Sequence, residues 1–303
     1  MADPTARRAR WHLWFSLLPL LLGCDPASGL DVPRLVKGPS PEIPGKFVTH
    51  SLITTEPESA KAFYGYAFDW EFETVGDGRY TIARSNGRNV GGIVDATGAR
   101  QALAVPVWLG GVSVPDVGEA VAKAKSAGAR QLLNILDIPD LGRIAVLSDP
   151  EGAVFQVVRA VGGDPPDTAA SNHAWLWNEL AVTAPDAAAR FYQTVFGYRI
   201  DLIESPGAAP YLVLSRDGQA RAGIRGESDE SSKSSWVPYL QVADLDAALS
   251  RVRSLGATVV AESSGAGGAD AAIIVDPSGA MVALQHASDE RALALGFRGF
   301  STP

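Results

Sequence analysis

Aromatic and turn landmarks recur along this chain at a nearly constant offset. Phe63-Tyr64 returns as Phe191-Tyr192, Phe68-Asp69-Trp70 as Phe196-Gly197-Tyr198, and Trp108 as Trp236, each 128 residues later. Val114-Pro115-Asp116-Val117 returns as Val242-Ala243-Asp244-Leu245 at the same offset, and Asp149-Pro150-Glu151-Gly152 as Asp276-Pro277-Ser278-Gly279 at 127. Gly91-Gly92-Ile93 and Ala222-Gly223-Ile224 stand 131 apart, so the copies differ by small loop changes. A shared offset over this many landmarks marks a duplicated unit. The copies run over 47–160 and 173–287, and a Gly/Pro-containing linker, 161–172, joins them.

Inside each copy the hydrophobic period switches in a fixed order. Phe47 to Thr54 reads as a strand, and Glu56-Pro57-Glu58 starts a helix with proline at its first position. That helix runs to Phe68 and is stopped by Asp69-Trp70. Arg79 to Arg84 and Asn89 to Val94 follow as strands around the turn Ser85-Asn86-Gly87-Arg88. The order then restarts. Trp108 to Val114 is a strand, Asp116 caps a helix that ends near Ala127-Gly128, and strands near Gln131 to Ile135 and Ile144 to Val158 close the unit. Trp175 to His286 repeats the whole series. The expected class is α+β, each copy being a pair of βαβββ units.

Strand, helix ending in F-Y-x-x-x-F-[DG]-[WY], strands, a second strand and helix, then D-P-x-G: this order resembles the vicinal oxygen chelate superfamily, which includes glyoxalase I, extradiol dioxygenases and bleomycin-resistance proteins. Trp177-Asn178-Glu179-Leu180 and Trp236-Val237-Pro238-Tyr239 resemble a tandem-module subgroup most of whose members have no assigned reaction. The resemblance implies a pair of curved sheets per module, closed into a cup around a ligand. In metal-using members the ion sits on inward-pointing side chains. Those positions fall here on Thr49 and Trp177, Leu109 and Val237, Gln156 and Ala283, with a fourth in Asn89–Ile93 or Arg221–Ile224. A hard divalent ion needs carboxylates or neutral imidazoles, and these residues supply almost none. No cofactor and no metal are therefore expected. His50, next to Thr49, should point to the opposite sheet face, since strand side chains alternate.

The inward candidates for ligand binding are Thr49, Ser51, Tyr80, Trp108 and Gln156 in the first copy. In the second they are Trp177, Glu179, Tyr211, Trp236 or its neighbour Val237, and Tyr239. Apolar walls with a few aimed polar groups suit a small-molecule site. Glu179, on the same strand face as Trp177, would act as a general base or anchor a cationic ligand, or else pair with a buried arginine or a backbone amide as a structural element. The second copy, with the larger aromatic and acidic set, is the first choice for the site. Phe63-Tyr64 and Phe191-Tyr192 read as helix-face core residues, and Asp149 and Asp276 as turn residues.

Ahead of the repeat, Arg7, Arg8 and Arg10 precede an apolar stretch, Trp11 to Leu22, that as a helix reaches only about 18 Å against roughly 30 Å of hydrocarbon. Residues 1–23 read as a secretory signal. Leu21-Leu22-Gly23-Cys24 resembles the lipobox of bacterial lipoproteins, and Cys24 is the sole cysteine, so Cys24 is the expected lipidation site. Residues 24–46, with Pro26, Pro33, Pro39, Pro41 and Pro44, read as a tether to the membrane. Residues 288–303 form a tail. These features imply an extracytoplasmic, lipid-anchored protein of the cell envelope. With 26 Lys+Arg against 34 Asp+Glu the chain carries a net charge of −8, which disfavours nucleic-acid binding. A single tandem chain should also pair its own modules and remain a monomer. Three functions fit: a small-molecule-binding protein without a metal, an enzyme of the superfamily (lyase, isomerase or dioxygenase, with Glu179 as base), or an envelope scaffold.

Overall fold

The computed structural model describes residues 33–36, 38–98, 105–204, 210–227, 233–263 and 271–286. The first module runs β1 (Phe47–Thr54), α1 (Pro57–Phe68), β2 (Glu71–Val75), β3 (Tyr80–Ser85), β4 (Arg88–Asp95), β5 (Val107–Ser113), α2 (Val117–Ser126), β6 (Arg130–Ile138), β7 (Gly142–Ser148) and β8 (Val154–Ala160). The second repeats it as β9 (Trp175–Val182), α3 (Pro185–Phe196), β10 (Arg199–Ile203), β11 (Tyr211–Arg216), β12 (Gln219–Gly226), β13 (Ser235–Val242), α4 (Leu245–Ser254), β14 (Thr258–Ser263), β15 (Ala271–Val275) and β16 (Met281–His286).

Local chemistry sets these boundaries. Pro57 and Pro185 open their helices, where a missing N–H costs nothing. Asp116 and Asp244 cap α2 and α4 by accepting from the backbone N–H three residues on. Asn86-Gly87 and Asp217-Gly218 all have positive φ, as a two-residue hairpin turn requires, and link β3 to β4 and β11 to β12.

Each module forms one continuous eight-stranded sheet, in the order β2-β3-β4-β1-β5-β8-β7-β6 and its counterpart β10-β11-β12-β9-β13-β16-β15-β14. The expected pair of curved sheets is thus a single sheet whose halves are stitched by antiparallel pairing of β1 with β5, and of β9 with β13.

The two large cores do not respect the module boundary. One gathers α2 residues such as Val121 and Ala124 with α3 residues such as Phe191, Tyr192 and Phe196, and the other gathers Phe63, Tyr64 and Phe68 of α1 with Leu249 and Val252 of α4. Each core holds half of either module. Two matching relays cross between them. Trp108 Nε1 donates to the Tyr64 hydroxyl (2.7 Å), which donates to Asp276 Oδ2 (2.8 Å). Trp236 Nε1 donates to the Tyr192 hydroxyl (2.8 Å), which donates to Asp149 Oδ2 (3.0 Å). Asp149 and Asp276 do serve their turns, each accepting backbone N–H groups on Oδ1, but they also anchor the other module's tyrosine. Between the modules His50 Nε2 meets Asn178 Oδ1 at 2.8 Å, two residues that occupy equivalent positions in the repeat.

Residues 33–46 do not stand free as a tether. They clasp the linker: Ser40 N donates to Gly162 O (2.7 Å), and Asp164, 1% exposed, accepts from Ile43 N and Ser113 Oγ at 2.5 Å each. Lys46 and Arg221 both pair with Asp167. Residues 1–23 and Cys24 lie outside the described residues, as does the tail 288–303.

Candidate functional site

Side-chain alternation divides each sheet into a helix-facing side and a cup-facing side. Trp108 and Trp236 belong to the helix-facing side, in the two cross-module cores, so neither lines a cup. Their neighbours Leu109 and Val237 face the cups instead. His50 points away from the cup-facing Thr49, as expected, and packs 4.5 Å from the Trp175 ring.

The cup of the second module is filled by its own side chains. Trp177, Tyr211, Val237 and Tyr239 share one buried cluster. Glu179, fully buried, accepts on Oε1 from Arg225 Nε (2.8 Å) and from the Tyr239 hydroxyl (3.0 Å). Trp177 Nε1 donates to the Tyr211 hydroxyl at 3.0 Å. Burial and the Glu179 charge push the hydroxyls of Tyr211 and Tyr239 well above the ordinary phenol range, so both stay protonated donors. Glu179 meets the structural alternative foreseen for it, pairing with an arginine in the adjoining strand. The sequence reading missed Arg225. Its signal was faint: Arg225 is one of two arginines, with Arg221, alternating in phase with Gly223, which pairs with Glu179 across β12 and β9.

The cup of the first module is built differently. A cavity of about 970 Å³ lies at its mouth, walled by Val48, Thr49, Tyr80, Ile82 and Leu141, with Leu35 and Val36 of the clasp on another side. Ser51 and Gln156 share this sheet face, Ser51 opposite Leu109 and Gln156 beside Gly111. Thr49, Tyr80 and Gln156 are buried, yet none of them, nor Ser51, makes a side-chain hydrogen bond among the described residues. Burial raises the Tyr80 hydroxyl far above its usual range, leaving it a neutral donor and acceptor. Gly92 makes the Tyr80 position feasible: a Cβ there would stand 2.0 Å from the Tyr80 hydroxyl. The preference for the second cup as the open one is therefore reversed by the geometry, because the larger aromatic and acidic set is what fills it.

A family model described as a glyoxalase-like domain matches residues 178–284. The protein CFP32 of Mycobacterium tuberculosis, provisionally named a glyoxylase, is 29% identical over 238 residues, covering 76% of this chain and 90% of that protein. The anthracycline biosynthesis protein DnrV of Streptomyces peucetius is 24% identical over 265 residues, covering 78% and 91%. Among solved structures, the Mn(II)-bound glyoxalase of Novosphingobium aromaticivorans aligns with a TM-score of 0.56 at 14% identity, covering 82% of this chain and 84% of that one. The 2,2',3-trihydroxybiphenyl 1,2-dioxygenase of Sphingomonas wittichii strain RW1 aligns with a TM-score of 0.56 at 13% identity, covering 86% and 98%.

The expectation that no cofactor belongs here is corrected by the first of these structures, whose fold carries Mn(II). The residues described in this chain do not reproduce a site for such an ion. Among them no three His, Cys, Asp or Glu side chains come together, and the cup-facing positions hold Thr49, Leu109 and Gln156 in one module and Trp177, Val237 and Ala283 in the other. Sheet order, duplicated units and relatives that span most of the chain agree: the chain has the fold of the vicinal oxygen chelate superfamily, and its residues 178–284 match a glyoxalase-like domain.

Proposed function

We propose that this chain is a glyoxalase-like small-molecule-binding protein whose ligand, an apolar or aromatic molecule, occupies the first module's cup. One contrast carries the reading. In the second cup Trp177 bonds to Tyr211, and Arg225 and Tyr239 bond to Glu179 Oε1, while Glu179 Oε2 is left over; at the matching side of the first cup Thr49, Ser51, Tyr80 and Gln156 make no side-chain hydrogen bond among the described residues. Two of these, Thr49 and Tyr80, line the cavity, where their hydroxyls are available to a guest. Thermal-shift titration with a panel of neutral aromatic compounds tests this, since binding to the native state alone raises Tm. Substituting Thr49→Arg should abolish every shift, and shifts unchanged in that variant would count against the first cup.

The lipobox-like Leu21-Leu22-Gly23-Cys24 supports an extracytoplasmic, lipid-anchored location. Among the described residues no helix is long and apolar enough to cross a membrane. Cell fractionation should place the chain with membranes and release it on Cys24→Ser. The cross-module cores support a monomer, because one chain already buries both helix pairs.

A further inference from the structure

The duplicated fold supplies its own template for the guest. Register places Trp177 of β9 where β1 has Thr49, Glu179 where it has Ser51, and Tyr239 where β5 has Gly111. Tyr211 corresponds to Tyr80, and each leans over a glycine: a Cβ on Gly92 or Gly223 would lie 2.0 or 1.7 Å from the tyrosine hydroxyl. The tyrosine and its glycine are thus kept in both cups. The indole that donates to the tyrosine hydroxyl in the second cup, 3.0 Å from Trp177 Nε1, is replaced in the first by a threonine. At Gly111 the place of a Cβ is taken by the Thr49 methyl (2.6 Å) and a Val158 methyl (3.5 Å), so Thr49 covers this glycine where Tyr239 stands in the second cup.

We infer that the first cup receives a flat aromatic molecule of at least bicyclic size, with a hydrogen-bond donor on its edge directed at the Tyr80 hydroxyl, seated where the second cup holds the Trp177 indole. The inference rests on the first cup being the binding site and narrows what enters it. The Tyr80 oxygen accepts the guest's donor as Tyr211 accepts from Trp177. Thr49 and Tyr80 both line the cavity of about 970 Å³, which leaves room for the ring and for substituents toward the mouth. No charged side chain stands at the five matched positions of the first cup, whereas Glu179 at the Ser51 position is balanced in the second by Arg225.

The test titrates the full-length chain with indole, with naphthalene (the same shape without the N–H) and with cyclohexylmethanol, which is not planar. Indole should bind saturably and about five- to tenfold more tightly than naphthalene, the worth of one hydrogen bond. Tyr80→Phe should bring indole down to the naphthalene level and leave naphthalene unchanged. Thr49→Trp should supply the occupant from within, abolishing indole binding and raising Tm. Saturable cyclohexylmethanol binding that Thr49→Trp removes, with no binding of indole, would overturn the aromatic-donor inference and leave the first cup as the site. Failure of all three probes to bind would overturn both. If Thr49→Trp does not fold, the Tyr80→Phe comparison decides: equal losses for indole and naphthalene would refute the donor contact.

Discussion

Tyr192→Phe isolates the cross-module relay, because the substitution keeps the ring and removes one oxygen. The ring contacts to Phe155, Phe191, Phe196 and Trp236, with centroids 4.9 to 6.1 Å away, survive. Lost are the bond accepted from Trp236 Nε1 and the bond donated to Asp149 Oδ2. Trp236 is 5% exposed and Asp149 2%, so water cannot easily replace either partner. A net hydrogen bond is worth about 1 kcal/mol and an orphaned buried partner costs about 1–3 kcal/mol, so the expected loss is about 2–4 kcal/mol. Burial, the largest influence, raises the Asp149 carboxyl above its usual value, while the Tyr192 hydroxyl pulls it down. A raised carboxyl contributes stability at low pH that is lost as pH rises through its folded value, and removing the hydroxyl raises it further. The loss should therefore be larger at neutral pH than near about pH 4. Urea unfolding at both pH values reads this directly. Each core contains half of either module, so the unfolding should remain one transition with an unchanged m-value. A loss below about 0.5 kcal/mol, or the same loss at both pH values, would refute the reasoning.

His50 is fully buried, and burial lowers its imidazole from 6.5 to about 4 despite the bond with Asn178. The unfolded chain then binds the extra proton first, so stability present above about pH 6.5 falls by about 3 kcal/mol as pH drops to about 4; His50→Gln should flatten that part of the stability-pH curve, and parallel curves would contradict it. Arg225→Met strips the partner from buried Glu179 and should cost about 3–5 kcal/mol in chemical denaturation while leaving ligand affinity of the first cup unchanged. Gly163, at φ +91° with Ser40 O 1.8 Å from where its Cβ would be, should tolerate no side chain. Gly163→Ala is expected to lower stability by more than about 1 kcal/mol and to expose residues 33–46 to limited proteolysis, and unchanged cleavage would argue against the clasp.

Much of the architecture was legible from the chain alone. The 128-residue offset implied duplication, and the helices start at Pro57 and Pro185 and follow Asp116 and Asp244 as local capping chemistry requires. Residue types at the family's metal positions were also readable, since counting along strands needs no tertiary information. The cofactor expectation drawn from them was not secure, because a fold that carries Mn(II) in one protein is defined by its backbone and not by this chain's side chains. Face assignment failed at Trp108, and of the pair left open in the second copy it is Val237, not Trp236, that faces the cup. A strand flips its faces with a one-residue change in phase, and a register shift between Phe47 and Thr49 in the adjoining strand blurs that phase from sequence.

What tertiary structure alone decided are the relations between segments far apart in the chain. Tyr64 finds Asp276 and Tyr192 finds Asp149 across the duplication, Asp164 ties residues 40–43 to the linker, and Arg225 neutralises Glu179. Local periodicity records which face of an element is apolar, but not which distant element covers it. Whether a cup is open follows from how several side chains divide one volume. Trp177, Tyr211 and Tyr239 looked like the lining of a site, and only their mutual contacts identify them as its contents, while in the first module the smaller Thr49 borders a cavity.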